Sequence, residues 1–285
     1  MNPLHEGLNR VGGYQEFAPP TALAHLLECL WVHSPPPVTA PAASLHRVIP
    51  HFGCSLTLER RMTPEGELEA ATLLFLGPVS RPRPYPVEAG KEMISLHLRP
   101  ELCRDLLGVD VSELWNSIEP YDALCPQRAK LLMDQLGPAQ PTHKILSHFV
   151  RWLARRSIES RQRSPGLETS ASVIEHLRAC QGATAVDALI RDHGRAPQYL
   201  RRVFKRSLGA SPKRIASLLR LNAAIKASDG ADRPLWADIA AQFGYSDQAH
   251  LIRETRRWTE VSPTVLHAER RAELTPYLPS RGHIG

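Results

Sequence analysis

Apolar positions in the first hundred residues of this 285-residue chain alternate or cluster in short blocks, whereas beyond Pro100 they return every three or four residues. The early blocks "RVIPHFGCSLTLER" and "EAATLLFLG" are apolar and β-branched and end at Pro or Gly, which predicts strands. In "KEMISLHLRP", Ile94, Leu96 and Leu98 alternate with Ser95, His97 and Arg99, the pattern of a half-buried strand. Prolines crowd "SPPPVTAP" and "GPVSRPRPYP", which predicts extended loops or sheet edges there. "PELCRDLLG" then opens a helix on a proline and stops it at Gly108, and short helices are expected near 111–116 and 122–136. A longer helix, 142 to 160, stacks Ile145, Phe149 and Leu153 on one face with Leu146 and Trp152 beside them. That stripe suits packing against the β-rich part; a helix pair between two copies is the alternative. "SRQRSPGLE" has no apolar period and serves as a linker.

The last third holds a weak internal repeat. With Leu200 set against Leu251, one copy reads "LRRVFKRSLGASP" and the other "LIRETRRWTEVSP", each closed by Ser-Pro at the same distance. Upstream, "VDALIRDHG" and "ADIAAQFG" are apolar helices stopped by Gly194 and Gly244, with one more residue between glycine and leucine in the second copy. Each copy is therefore helix, turn, helix. Between them "SPKRIASLLRLNAAIKAS" predicts one continuous helix from Pro212, with Ile215, Leu218, Leu219, Ala223 and Ile225 on its apolar side. Such a strut spans roughly 25 Å, and successive major-groove faces of a duplex lie about 34 Å apart.

Charge sharpens this picture. The net charge is +6, and residues 166–271 carry 17 Lys and Arg against 11 Asp and Glu, so the whole excess lies there. Between Asp192 and Asp229 there is no acid but nine bases: Arg195, Arg201, Arg202, Lys205, Arg206, Lys213, Arg214, Arg220 and Lys226. A positive field confined to a helical region suits a polyanion. The longest apolar runs are far shorter than the roughly 18 residues of a membrane span. The five cysteines are scattered with no Cys-x-x-Cys, and the N-terminus "MNPLHEGLNR" lacks a secretory core, which together predict a cytoplasmic protein with reduced thiols.

"LRRVFKRSLGASPKR" and, above all, "DIAAQFGYSDQAHLIRETRRWTEVSP" resemble the AraC/XylS family of bacterial transcription regulators over about residues 170 to 269. The matching positions are Ile239, Ala240, Gly244, Tyr245, Asp247, Gln248, His250, Arg253, Ser262 and Pro263. "RVIPHFGCSLTL", "LGPVSRPRPYPV" and "ISLHLRPELCRDLLGV" are more weakly similar to the sensor-type domains found ahead of such units. The resemblance implies an α+β chain: a β-rich, cupin-like or barrel-like N-terminal domain with helices at its end, joined to an all-α DNA-binding domain of two helix-turn-helix units linked by a long helix. The expected divisions are a sensor or dimerisation domain at 1–162, a linker at 163–168, the DNA-binding domain at 169–271 and a flexible tail at 272–285. Two positions depart from the family pattern. Thr255 stands where Phe is usual, which implies a smaller core under the second recognition helix. Glu260 stands where Gly is expected, although a left-handed cap favours Gly.

Phosphate contacts supply affinity and base contacts supply discrimination. On the first recognition helix, about 197 to 207, Leu200 and Phe204 face inward, leaving Gln198, Arg201, Arg202 and Lys205 outward. On the second, about 247 to 257, Leu251 faces inward and Gln248, Ala249, Ile252 and Arg253 outward. The family implies that these outward positions read bases: Arg suits guanine, Gln suits adenine, and an aliphatic group suits the thymine methyl. Arg202 and Arg253 occupy the same place in the two copies. Arg206, Lys213, Arg214, Arg256 and Arg257 are better placed for phosphates. His250 adjoins the reading face and either supports the turn or touches a base.

The partners implied are double-stranded promoter DNA, a small-molecule effector, RNA polymerase if the output is activation, and a second copy in a homodimer; no membrane is implied. His97 and Arg99, on the polar side of a strand, are the candidates for effector contact. His46, His51, Cys54 and His97 have no dedicated ligand spacing, so no metal or other cofactor is expected. No enzyme activity is expected either. A related architecture joins the same DNA-binding unit to an alkyl-transferring repair domain built on Pro-Cys-His-Arg, and that tetrapeptide is missing here. An N-terminal domain that only dimerises is the other alternative.

Overall fold

The computed structural model describes residues 9–11, 13–34, 45–86, 88, 90–160, 165–183, 186, 189 and 196–271. Nine strands form its first part: β1 (Asn9–Val11), β2 (Tyr14–Phe17), β3 (Leu27–His33), β4 (Leu45–Val48), β5 (Cys54–Met62), β6 (Leu68–Leu76), β7 (Arg83–Pro86), β8 (Lys91–Leu98) and β9 (Ile118–Pro120). Seven make one antiparallel sheet in the order β1-β2-β3-β8-β5-β6-β9, and β4 pairs with β7 in a separate ribbon. Leu96 of β8 lies opposite both Leu30 and Leu56, giving a fully buried leucine row across three central strands.

The alternation in β8 is present, but the expected half-burial is not. Ser95 and His97 are 0% and 1% exposed. Both faces of this central strand are covered, because the polar side chains satisfy one another: Thr57 Oγ1 lies 2.8 Å from Ser95 Oγ, and Ser55 Oγ lies 2.9 Å from His97 Nδ1. Paired hydroxyls and imidazole remove most of the cost of burial.

Helices cover the leucine-rich face. These are α1 (Cys103–Leu107), closed by left-handed Gly108, then α2 (Tyr121–Leu124), α3 (Pro126–Leu136) and α4 (Thr142–Glu159). The expected helix near 111–116 is a single tight turn, Val111–Glu113. Ile145, Leu146, Phe149, Trp152 and Leu153 of α4 are all buried in the chain's own core, so the stripe is used within the chain. Arg60 fixes the start of α4. Its guanidinium pairs with buried Glu92 at 2.5 Å and donates to Pro138 O, Gln140 O and Thr142 Oγ1.

The C-terminal helices are α5 (Pro165–Ala179), α6 (Pro197–Leu208), α7 (Pro212–Ser228), α8 (Trp236–Gln242), α9 (Gln248–Thr259) and α10 (Pro263–Arg271). The linker expected at 163–168 is already helical from Pro165, since a proline at the first helical position costs no hydrogen bond and has its φ preset. Residues 161–164, most of the first unit's opening helix including Gly194, and the tail at 272–285 lie outside the described residues; Val186 and Leu189 are helical and buried. The two halves share one core. Leu200, Phe204, Leu208, Ile215 and Leu218 belong to the same cluster as the sheet leucines. Buried Arg178 of α5 pairs with Glu28 and with Glu101 and lies 5.5 Å from the Phe52 ring centre.

Candidate nucleic-acid interface

α6 begins with Pro197 and buries Leu200, Phe204 and Leu208 at four-residue intervals. Gln198, Arg201, Arg202, Lys205 and Arg206 are exposed on the remaining faces. Arg202 leans over the Tyr199 ring at 6.0 Å, and Lys205 Nζ donates to Gly209 O at 3.2 Å. Gly209 ends the helix in the left-handed conformation, φ 68. Ser211 then caps α7, its hydroxyl accepting from Arg214 N at 3.3 Å, and α7 runs 17 residues.

The second unit is assembled around a polar turn. Gly244 is left-handed, φ 70, and Tyr245 behind it is buried with Ile239, Ala240, Phe243, Leu251 and Ala224. Asp247 caps α9 by accepting from His250 N at 2.6 Å, which with nearby Arg253 holds its carboxyl below the usual range. The His250 ring sits 3.2 Å from Ser246 Oγ and edge-on to Tyr245, so it closes the turn. Arg220 reaches down from α7, its guanidinium 4.5 Å from the Tyr245 ring centre and 3.4 Å from Gly244 O. Burial pushes the Tyr245 hydroxyl up to about 12, so it stays protonated.

Along α9, Gln248, Ala249, Arg253, Arg256 and Arg257 are exposed, and Ile252 is half-buried outside the apolar clusters. Thr255 and Thr259 are fully buried, and each hydroxyl bonds the carbonyl four residues back, at 2.8 Å. The smaller core expected at Thr255 is present in this form. Glu260 adopts φ 66, the left-handed cap that the mismatch with Gly predicted.

Of the residues expected to face phosphate, Arg206, Lys213, Arg256 and Arg257 are exposed, Arg257 with Glu254 at 3.5 Å. Arg214 is exposed as well, and two rings engage it. Its guanidinium lies 5.4 Å from the Trp115 ring and 5.7 Å from the Trp258 ring, between the N-terminal half and the second unit. Two indole faces attract a guanidinium in a way that a surface position on the helix does not reveal. Arg220 as a clamp and Trp115 as a neighbour were likewise missed. Arg220 stood in the acid-free run, but nothing in that run says which turn it reaches.

The N-terminal half holds a cavity of about 250 Å³ between the sheet and the β4–β7 ribbon. Trp31, His51, Leu74, Leu76, Val79, Arg83 and Met93 are among its walls. Burial pulls His51 down to about 4, and it pulls His97 well below its ordinary value, with His51 adding to the effect. His97 and Arg99, the expected effector contacts, do not line this cavity. His97 is tied to Ser55 within the sheet; Arg99 lies past the strand end and pairs with Glu175 of α5 at 2.5 Å. The side chain of His46 lies outside the described residues. Among the described residues no cluster of three or more His, Cys, Asp or Glu could hold a metal, and no helix is long and apolar enough to cross a membrane.

Residues 189–269 match a family model described as a helix-turn-helix domain, and residues 15–120 match a domain of unknown function (DUF6597). No curated protein matches the chain. Among solved structures the chain is similar to ToxT from Vibrio cholerae, with 10% identity and a TM-score of 0.40 over 82% of this chain and 98% of that one. A structure of ToxT bound to (E)-4-(8-methylnaphthalen-1-yl)but-3-enoic acid gives 11% and 0.43 over 86% and 98%. Unsaturated fatty acid bound ToxT gives 8% and 0.40 over 79% and 94%.

Proposed function

We propose, from the premise that residues 189–269 form a helix-turn-helix domain of the AraC type, that this protein is a sequence-specific transcription regulator. It reads two adjacent major-groove segments of promoter DNA, one with α6 and one with α9. The observation that carries this reading is a pair of 12-residue helices, one before α7 in the chain and one after it, each with an apolar face turned in and a Gln- and Arg-bearing face turned out. Gln198, Arg201, Arg202 and Lys205 read bases in one groove, and Gln248, Ala249, Ile252 and Arg253 in the other. Arg206, Lys213, Arg214, Arg256 and Arg257 neutralise phosphates.

A small effector in the N-terminal cavity controls the output in this reading. The protein acts in the cytoplasm, without chemistry of its own, as a homodimer, and touches RNA polymerase where it activates. The test is binding of the full chain to duplex across a salt series. Roughly six neutralised phosphates give a log–log slope near about −5. A chain with no affinity for duplex at low salt would overturn the function.

A further inference from the structure

The short segment Leu114–Ile118 touches the cavity on one side and the first recognition helix on the other. On the cavity side it is clamped to the wall. Gly77 N donates to Ser117 O at 3.1 Å, and Asn116 N donates to Pro78 O at 2.8 Å. Asn116 Oδ1 accepts from Ser80 N at 2.8 Å and from Arg81 N at 3.2 Å, while the Arg83 guanidinium donates to Asn116 O. Gly77, Arg83, Ser117 and Ile118 all line the cavity. The approach is close enough that a Cβ on Gly77 would overlap the Leu114 carbonyl. Asn116 itself is left-handed, φ 61, a conformation that Asn accepts more readily than other side-chain-bearing residues and that sets the sharp turn of the segment.

On the other side, Trp115 Nε1 donates to Leu208 O at 2.6 Å, in the last turn of α6. Its ring also faces Arg214 at the start of α7. Immediately before the segment, the Ser112 carbonyl packs against Gly209 so tightly that a Cβ there would overlap it. Among the described residues no hydrogen bond or ion pair joins α9 to the N-terminal half; its link is Trp258, which lies in the shared core and meets Arg214 opposite Trp115.

We infer that Leu114–Ile118 is a coupling wedge through which occupancy of the cavity resets the first recognition helix directly and reaches the second only through Arg214 and Trp258. The inference rests on the effector reading above and specifies its ligand and route. The ligand is a small molecule with an apolar body, matched by Trp31, Leu74, Leu76, Val79 and Met93, and one hydrogen-bond acceptor aimed at Arg83. An acceptor that takes the Arg83 guanidinium releases Asn116 O. The Asn116 backbone is then free to move, and Trp115, its chain neighbour, shifts against Leu208. A ligand moves an equilibrium only by binding one state better, and competition for Arg83 supplies that difference.

The test uses the full chain and 1-anilinonaphthalene-8-sulfonate, an apolar fluorophore with one acceptor group, read by fluorescence titration and by amide hydrogen exchange. The wild type should bind it saturably and change exchange in residues 197–208 at least threefold, with a smaller change in residues 248–259. Trp115→Phe, which keeps a smaller aromatic ring and loses the donor, should bind the fluorophore within twofold of wild type yet lose the response in 197–208. Arg83→Met should bind at least fivefold more weakly and, at saturation, also lack that response. No saturable binding, equal responses in the two helices, or a full response in both variants would overturn the wedge. None of these measurements needs DNA, so failure of the coupling and failure of DNA binding are told apart.

Discussion

The two helix-turn-helix units carry recognition helices of equal length, similarly amphipathic and both closed by a left-handed residue, yet they stand on different foundations. α6 buries Leu200, Phe204 and Leu208 in the core it shares with the sheet, and its end is capped by Trp115 from the N-terminal half. Leu251 of α9 packs in a small cluster made almost wholly of its own unit, and farther along the helix buried threonines bond their own helix's carbonyls. The first unit is therefore tied to the N-terminal half by a whole apolar face and a hydrogen bond, whereas α9 reaches the shared core through Trp258 and is otherwise held locally and from α7 through Arg220.

The largest contrast lies in the two helix ends. Gly209→Ala puts a side chain at φ 68 and into the Ser112 carbonyl, combining left-handed strain with overpacking. A loss of about 2–5 kcal/mol is expected, and thermal unfolding should show the N-terminal half destabilised with it. Glu260→Gly relieves the same strain at φ 66 and should stabilise the second unit by about 1 kcal/mol. Melts that move in the same direction for both variants would remove the contrast.

Acid should separate the units next. His51 is held at about 4 when folded against an unfolded value near 6.5, so the unfolded chain binds the extra proton in that window. Stability contributed by neutral His51 is present above about 6.5 and is lost as pH falls toward 4. Between pH 7 and pH 5 that amounts to about 2 kcal/mol, with His97 acting in the same direction. Amide exchange at pH 5 should rise in the sheet and α6 before α9, and His51→Gln should flatten the pH dependence. Identical profiles for wild type and His51→Gln would contradict this.

The smallest expected effect concerns Ile252, half-buried beside exposed Arg253. Uracil for thymine at one position of the α9 half-site should weaken the wild type by less than about 1 kcal/mol through the lost methyl contact. Ile252→Ala should be almost indifferent to that replacement. Equal losses for both proteins at every thymine would return Ile252 to packing.

Much of this frame is legible along the chain. The Ser-Pro pairs mark where α7 and α10 begin, apolar spacing finds α4 and both recognition helices, and the mismatch at Glu260 announces its strained cap. What is not legible joins residues that no period relates. Trp115 and Leu208 are 93 positions apart. Nothing in the alternation of β8 says that Arg99 meets Glu175 of α5. Periodicity reports which face is apolar, and β8 shows its limit, since a polar face can be buried too when its groups pair with each other.

The central claim is that α6 and α9 read separate grooves. Binding-site selection with Arg202→Ala and Arg253→Ala tests it most directly, each variant costing about 1–3 kcal/mol. The account predicts relaxed preference at two sets of base positions, one per variant, separated by about one helical turn of roughly 10 base pairs. Loss of preference at the same positions in both variants would contradict it.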